Sequence, residues 1–195
     1  MKDFDKKEYC KEVKVISIEK ASNAGLLLML PVFAVFIGLF FLFHGNPLPR
    51  YFNPGFSAVK VAVDIALAFA LFIGGIVLHE LIHGATWAIF ARRGFCSIRF
   101  GVLWKYATPY CHCKEPLKIK HYLAGAITPA ILLGFMPAIY GVVVGWFSVM
   151  FFGMIFIVAA IGDFMIFRLL MHEDGNDYAQ DHPSEAGCYV FRKIK

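Results

Sequence analysis

The chain has 195 residues, 59% hydrophobic and 17% charged, with 21 phenylalanines and a net charge of +5. Soluble domains carry about a quarter charged residues, so this chain lacks the polar surface to cover a globule, which excludes an ordinary soluble enzyme. Its basic residues flank apolar runs instead of forming one cluster, which excludes nucleic acid as a partner and points to the lipid bilayer. The expected fold is mainly α, a polytopic membrane protein of about four transmembrane helices with a small cytosolic β-hairpin between helices two and three.

Residues 1–24 read as a cytosolic N-terminal tail, 25–171 as a membrane-embedded domain and 172–195 as a cytosolic C-terminal tail. Within the first, the alternation Val13-Lys14-Val15-Ile16-Ser17-Ile18 suits a strand or an interfacial segment as well as a solvated tail. Residues 25–43 are uncharged and about the 20 residues that a helix needs to cross a bilayer. No small-residue cleavage site follows them, so the run is expected to stay as an anchor. A connector rich in proline, asparagine and glycine covers residues 44–54.

The second apolar run, residues 58–91, is longer than one crossing requires and closes on Arg92 and Arg93. Asp64 lies near one end and His79-Glu80-Leu81-Ile82-His83 near the other. In the polar stretch that follows, Ile98, Phe100, Val102, Trp104 and Tyr106 alternate as in a strand, and residues 108–113 are placed to pair back onto it. Pro109 restricts that second strand to an edge. The remaining spans are residues 122–147, interrupted by Pro129 and Pro137, and residues 148–170, interrupted by Asp163. Kinks are expected at both prolines. Gly141 and Gly145 have the spacing of a helix-packing pair, and Asp181-His182-Pro183 reads as a turn.

Basic residues set the orientation. They concentrate before span one, between spans two and three and after span four, leaving only Arg50 and Lys60 on the other side. Both termini and the hairpin are therefore expected in the cytosol of a multi-pass protein of the cell membrane. All five cysteines fall on that reducing side and show no framework spacing, so no disulfide scaffold is expected.

The chemistry is expected at His79-Glu80-Leu81-Ile82-His83. Histidines four apart on a helix offer imidazole nitrogens to one ion, and Glu80 is a carboxylate among Val77, Leu78, Leu81 and Ile82, where structure has no use for it. This chain's composition would produce the pattern by chance in roughly one such sequence in a hundred. With spans two and four both running inward, a rise of about 1.5 Å per residue brings His83 and Asp163 to similar depth. Zn²⁺ would be held by His79, His83 and Asp163, with water in the open fourth position and Glu80 as the general base that takes its proton. Asp64 reads as interfacial. Cys111-His112-Cys113 with His121 offers a second metal set, against the simpler reading as strand residues; His172 and His182 match no ligand spacing.

At these residues the chain resembles the site-2 protease group of intramembrane zinc metalloproteases, in particular small membrane zincins without an appended peptide-binding domain. The resemblance covers residues 58–170 and rests on His79-Glu80-Leu81-Ile82-His83, the strand segment after it, Ala124-Gly125-Ala126 opening the third span, and an Asp in the next. It implies zinc, a Glu base, an Asp as third ligand, and a substrate strand added to the edge of the segment 98–106. The family's Asp precedes a Gly, whereas here the order is Gly162-Asp163-Phe164. The expected activity is hydrolysis of peptide bonds in a membrane protein or membrane-associated peptide near the cytosolic face. The alternative is a non-catalytic metal-binding or assembly protein of the same fold, or a metal carrier, although no inverted repeat supports a carrier. Substrate identity and oligomeric state are not encoded in any motif.

Overall fold

A computed structural model describes residues 8–47, 57–104, 108–182 and 185–194. It is mainly helical. In chain order the elements are β1 (Tyr9–Val15), α1 (Ile18–His44), α2 (Ala58–Phe90), β2 (Ile98–Leu103), β3 (Thr108–Cys113), β4 (Leu117–Lys118), α3 (Ile119–Pro129), a π-helical stretch (Ala130–Phe135), α4 (Met136–Val144), α5 (Phe147–Ala159), α6 (Ile161–Leu170), β5 (Tyr178–Asp181) and β6 (Gly187–Lys193). Tyr106, Lys105, Arg50, Pro183 and most of the expected connector at 44–54 lie outside the described residues.

Three helical stretches, Glu19–His44, Val59–Phe90 and Ile119–Val144, are long and apolar enough to cross a membrane, and α5 with α6 makes a fourth if the pair counts as one span. Leu67, Phe69 and Leu71 on α2 are each more than half exposed, as are Leu26, Leu27 and Leu30 on α1. A helix apolar all round and uncovered by protein suits hydrocarbon as its solvent. The expected fourth run is broken, because Ala160 (φ −76°, ψ 13°) leaves helical geometry and starts α6 afresh. That break sets Asp163 in the first turn of α6, where a carboxylate faces the positive end of the helix dipole. The third run departs from α-geometry between its prolines, as the π-helical stretch.

The chain forms two compact units. One comprises Gly25–His79 and Ala130–Ala159. Its helices interlock through small residues: a Cβ on Gly141 would enter the Met150 backbone, and one on Gly134 would meet Ile157 Cγ1 at 2.8 Å. Phe40, Val142, Met150 and Met154 form its core. Gly145, expected as half of a packing pair, instead ends α4 in the left-handed conformation at φ 74°. His44 closes that end by hydrogen bonding to the Val142 carbonyl at 2.6 Å.

The other unit comprises Met1–Ala24, Glu80–Pro129 and Ala160–Lys195. It carries a two-stranded sheet, β2–β3, and a four-stranded sheet in the order β1-β6-β5-β4. The hairpin expected from alternation is present, with Ile98 paired to Cys113 and Leu103 to Thr108. The two polar ends of the chain pair with each other, Tyr9 against Lys193 through Val15 against Gly187. Of the expected alternation at Val13–Ile18 only Val13–Val15 is strand; β1 lies earlier, at Tyr9–Val15, and Ile18 already begins α1. Trp87, Ile98, Cys113, Ile119, Tyr122, Leu170 and Val190 share this unit's core, so the last turns of α2, the start of α3 and the end of α6 rest on both sheets.

Candidate metal centre

Ligand atoms of His79, His83 and Asp163 all lie within 4.8 Å of one another, the one such group of histidine, cysteine and acidic side chains among the described residues. Helix α2 is continuous through Phe90, so the four-residue spacing alone puts His79 and His83 on one face. The two residues are 9% and 4% exposed. Glu80, one residue on, is partly buried. The expected meeting of His83 with Asp163 takes place: His83 Nε2 is 3.2 Å from Asp163 Oδ1.

The tautomer of His83 decides what that contact means. Nδ1 donates to the Gly125 carbonyl of α3 at 2.8 Å. With Nδ1 so engaged, Nε2 faces a carboxylate oxygen, and two acceptors at that distance repel unless a cation, either a proton on Nε2 or a metal ion, stands between them. Two ligand atoms on tetrahedral zinc, each about 2.0–2.1 Å from the ion, sit about 3.3 Å apart. The donor set (two imidazoles and one carboxylate) and this spacing both fit Zn²⁺, with a fourth position left for water.

The centre is buttressed by aromatic stacking. Trp87 lies between His83, at 5.1 Å and 18°, and Tyr122, at 5.3 Å and 17°. Its indole N–H donates to the Tyr122 carbonyl at 3.0 Å. The Tyr122 hydroxyl in turn donates to Asp181, which also accepts the Cys113 N–H at 2.7 Å. Burial pushes the Asp181 carboxyl up to about 6, against the opposing pull of its hydrogen bonds from Tyr122 and Cys113. His79 stands 6.4 Å from the Phe156 ring.

Two glycines let neighbours approach. A Cβ on Gly84 would meet Phe100 Cζ at 2.6 Å and Ile98 Cγ2 at 3.1 Å, so β2 packs on α2 one residue beyond His83. A Cβ on Gly125 would fall inside the Trp87 indole. Glu115 ties the same region together by accepting the Arg92 N–H at 2.9 Å and the Ser97 hydroxyl at 2.8 Å.

Sequence reading missed Trp87, Tyr122, Gly84 and the Gly125 carbonyl, although the small residues Ala124-Gly125-Ala126 mark where helices touch closely. Asp64 is exposed on α2, about 22 Å along the axis from His79. The second candidate metal set does not assemble. Cys111 and Cys113 are buried free thiols that join no group of converging ligand atoms among the described residues. His112 instead lines a polar cavity of about 570 Å³ with Arg99, Lys114 and Tyr189. His121 stacks on Phe90.

A family model described as "Putative zincin peptidase" matches residues 72–178, more than half of the chain. The match runs from about two turns of α2 before His79 to the first residue of β5 and takes in all three candidate ligands. No curated protein and no solved structure matches the chain.

Proposed function

The chain belongs to this zincin peptidase family of zinc metallopeptidases, and on that premise we propose that it is a site-2 protease-like intramembrane peptidase, cutting membrane-associated substrates near the cytosolic face. The observation that carries the reading is the convergence of His79, His83 and Asp163 within 4.8 Å, with Glu80 adjoining His79, on a helix apolar enough to cross a membrane.

His79, His83 and Asp163 hold the metal in this account. Zinc, when bound, supplies Lewis acidity and lowers the pKa of a water at the open position. Glu80 takes a proton from the attacking water through a carboxylate oxygen as the water oxygen adds to the peptide carbonyl. The same carboxyl returns the proton to the amine nitrogen as the C–N bond breaks. Asp163 and the imidazoles stay in place throughout.

Strand β2 is suited to present the substrate. Among the described residues it pairs with β3 alone, so its second edge has hydrogen-bonding groups to offer an added strand. Phe100 and Val102 on it are 44% and 39% exposed, and an unwound apolar segment could lie against them. The contact with Gly84 holds this strand beside the metal face of α2. The basic residues around the hairpin and both termini support a cytosolic orientation.

The test is Glu80→Gln in protein reconstituted into liposomes, with cleavage of apolar model peptides followed by mass spectrometry. Activity should fall at least a hundredfold, at the lower end of what general-base catalysis contributes, with zinc retained. Equal cleavage by wild type and variant would refute Glu80 as the base, and none by zinc-loaded wild type would favour a metal-binding protein without peptidase activity.

A further inference from the structure

Pro129 lies four residues beyond Gly125 within α3. In a regular helix the carbonyl of residue 125 accepts from the amide N–H of residue 129. Proline has no such N–H, and its ring pushes the carbonyl of the residue four back away from the axis. The Gly125 carbonyl is thus the one backbone acceptor of α3 stripped of its helical donor by Pro129. It is also the carbonyl that accepts from His83 Nδ1 at 2.8 Å.

The approach has its own requirement. Trp87, one turn after His83 on α2, packs so closely on Gly125 that any Cβ there would occupy the indole. The Trp87 N–H bond to the Tyr122 carbonyl, at 3.0 Å, pins α3 in that register three residues before Gly125. Gly125 permits the contact; Pro129 supplies the acceptor. The recipient is the other nitrogen of an imidazole whose Nε2 faces Asp163 Oδ1 at 3.2 Å.

We infer that Pro129 is a positioning residue for the metal centre: by denying Gly125 its helical hydrogen bond it releases the carbonyl that fixes the Nδ1–H tautomer and ring plane of His83, leaving Nε2 to the metal. The inference rests on the assignment of His83 as a ligand. Metal-bound histidines depend on such partners at the second ring nitrogen, whose loss weakens binding by about ten- to hundredfold. Pro129 also begins the π-helical departure that follows it, but the two roles are separable, because the positioning role requires only a missing N–H.

The experiment compares three forms of the full chain in detergent: wild type, Pro129→Ala, and a backbone ester at 129 made with lactic acid, the hydroxy analogue of alanine. Alanine restores the N–H; lactic acid, of the same side chain, does not. Zinc affinity is measured by chelator competition, and the His83 tautomer by ¹⁵N NMR of labelled histidine. Pro129→Ala should bind zinc about ten- to hundredfold more weakly, with the ester close to wild type. Equal affinity in all three, or equal weakening of alanine and ester forms, would overturn the inference and leave His83 a ligand. If Pro129→Ala does not fold, the tautomer in zinc-loaded wild type decides: a proton on Nδ1 supports the role, and a proton on Nε2 refutes it. Wild type that binds no zinc would refute the metal centre itself.

Discussion

Replacing Glu173 by Gln should loosen the four-stranded sheet from the end of α6, in a way that acid removes. Glu173 lies just past α6 and accepts from Lys14 of β1 at 2.5 Å and from Arg192 of β6 through two bonds of 2.8 Å each. Those partners, Arg192 foremost, hold its carboxyl down to about 2 from an ordinary 4.5. Taken whole, that depression corresponds to about 3 kcal/mol at neutral pH. Arg192 is 47% exposed and shared with Glu12, so solvent screening reduces the figure to about 1–2 kcal/mol. For a chain of this size the midpoint of thermal unfolding should drop by about 2–8 °C. A depressed carboxylate gives stability that is complete above its unfolded pKa and disappears as pH falls through the folded one. The gap between wild type and Glu173→Gln should therefore be full at pH 7, begin to close near pH 4.5 and vanish near pH 2, followed by tryptophan fluorescence in detergent. A gap of the same size at pH 2.5 and pH 7 would refute the electrostatic reasoning and leave a packing effect.

Asp181 should behave with the opposite sign. Its carboxyl is raised to about 6 by burial, so its contribution is complete below about pH 4 and lost as pH climbs through 6, by about 2–3 kcal/mol. Unfolding of Asp181→Asn should be flatter than wild type between pH 4 and 7; parallel profiles would contradict this. Gly84→Val should push β2 off α2, because the new side chain meets Phe100 and Ile98; cleavage of apolar peptides in liposomes should fall more than tenfold while bound zinc stays within twofold. Loss of zinc to the same extent would show that the strand props the metal centre instead of presenting substrate.

Local features were legible in the sequence because they repeat at short range. The four-residue spacing of His79 and His83 needs only helical geometry, and the alternation from Ile98 onward needs only the pleat of a strand. The approach of Asp163 to His83 followed from matching helix directions and depth. What lay hidden depends on contacts between distant residues. Strand β1 is exposed at most of its positions, so it shows little alternation, and its partner β6 lies at the opposite end of the chain. No periodicity could announce that pairing. The break at Ala160 occurs in an apolar stretch with no proline, and the hydrogen bond from His83 to Gly125 joins residues 42 apart. Pro129 was visible as a kink; that it frees one particular carbonyl required the packing of Trp87 on Gly125.

The most direct test of the metal centre is the zinc content of purified full-length protein, compared among wild type, Glu80→Gln, His83→Ala and Asp163→Ala. One zinc per chain is expected in wild type and in Glu80→Gln, with His83→Ala and Asp163→Ala largely empty after brief dialysis against chelator. Zinc unchanged by His83→Ala and Asp163→Ala would contradict the account.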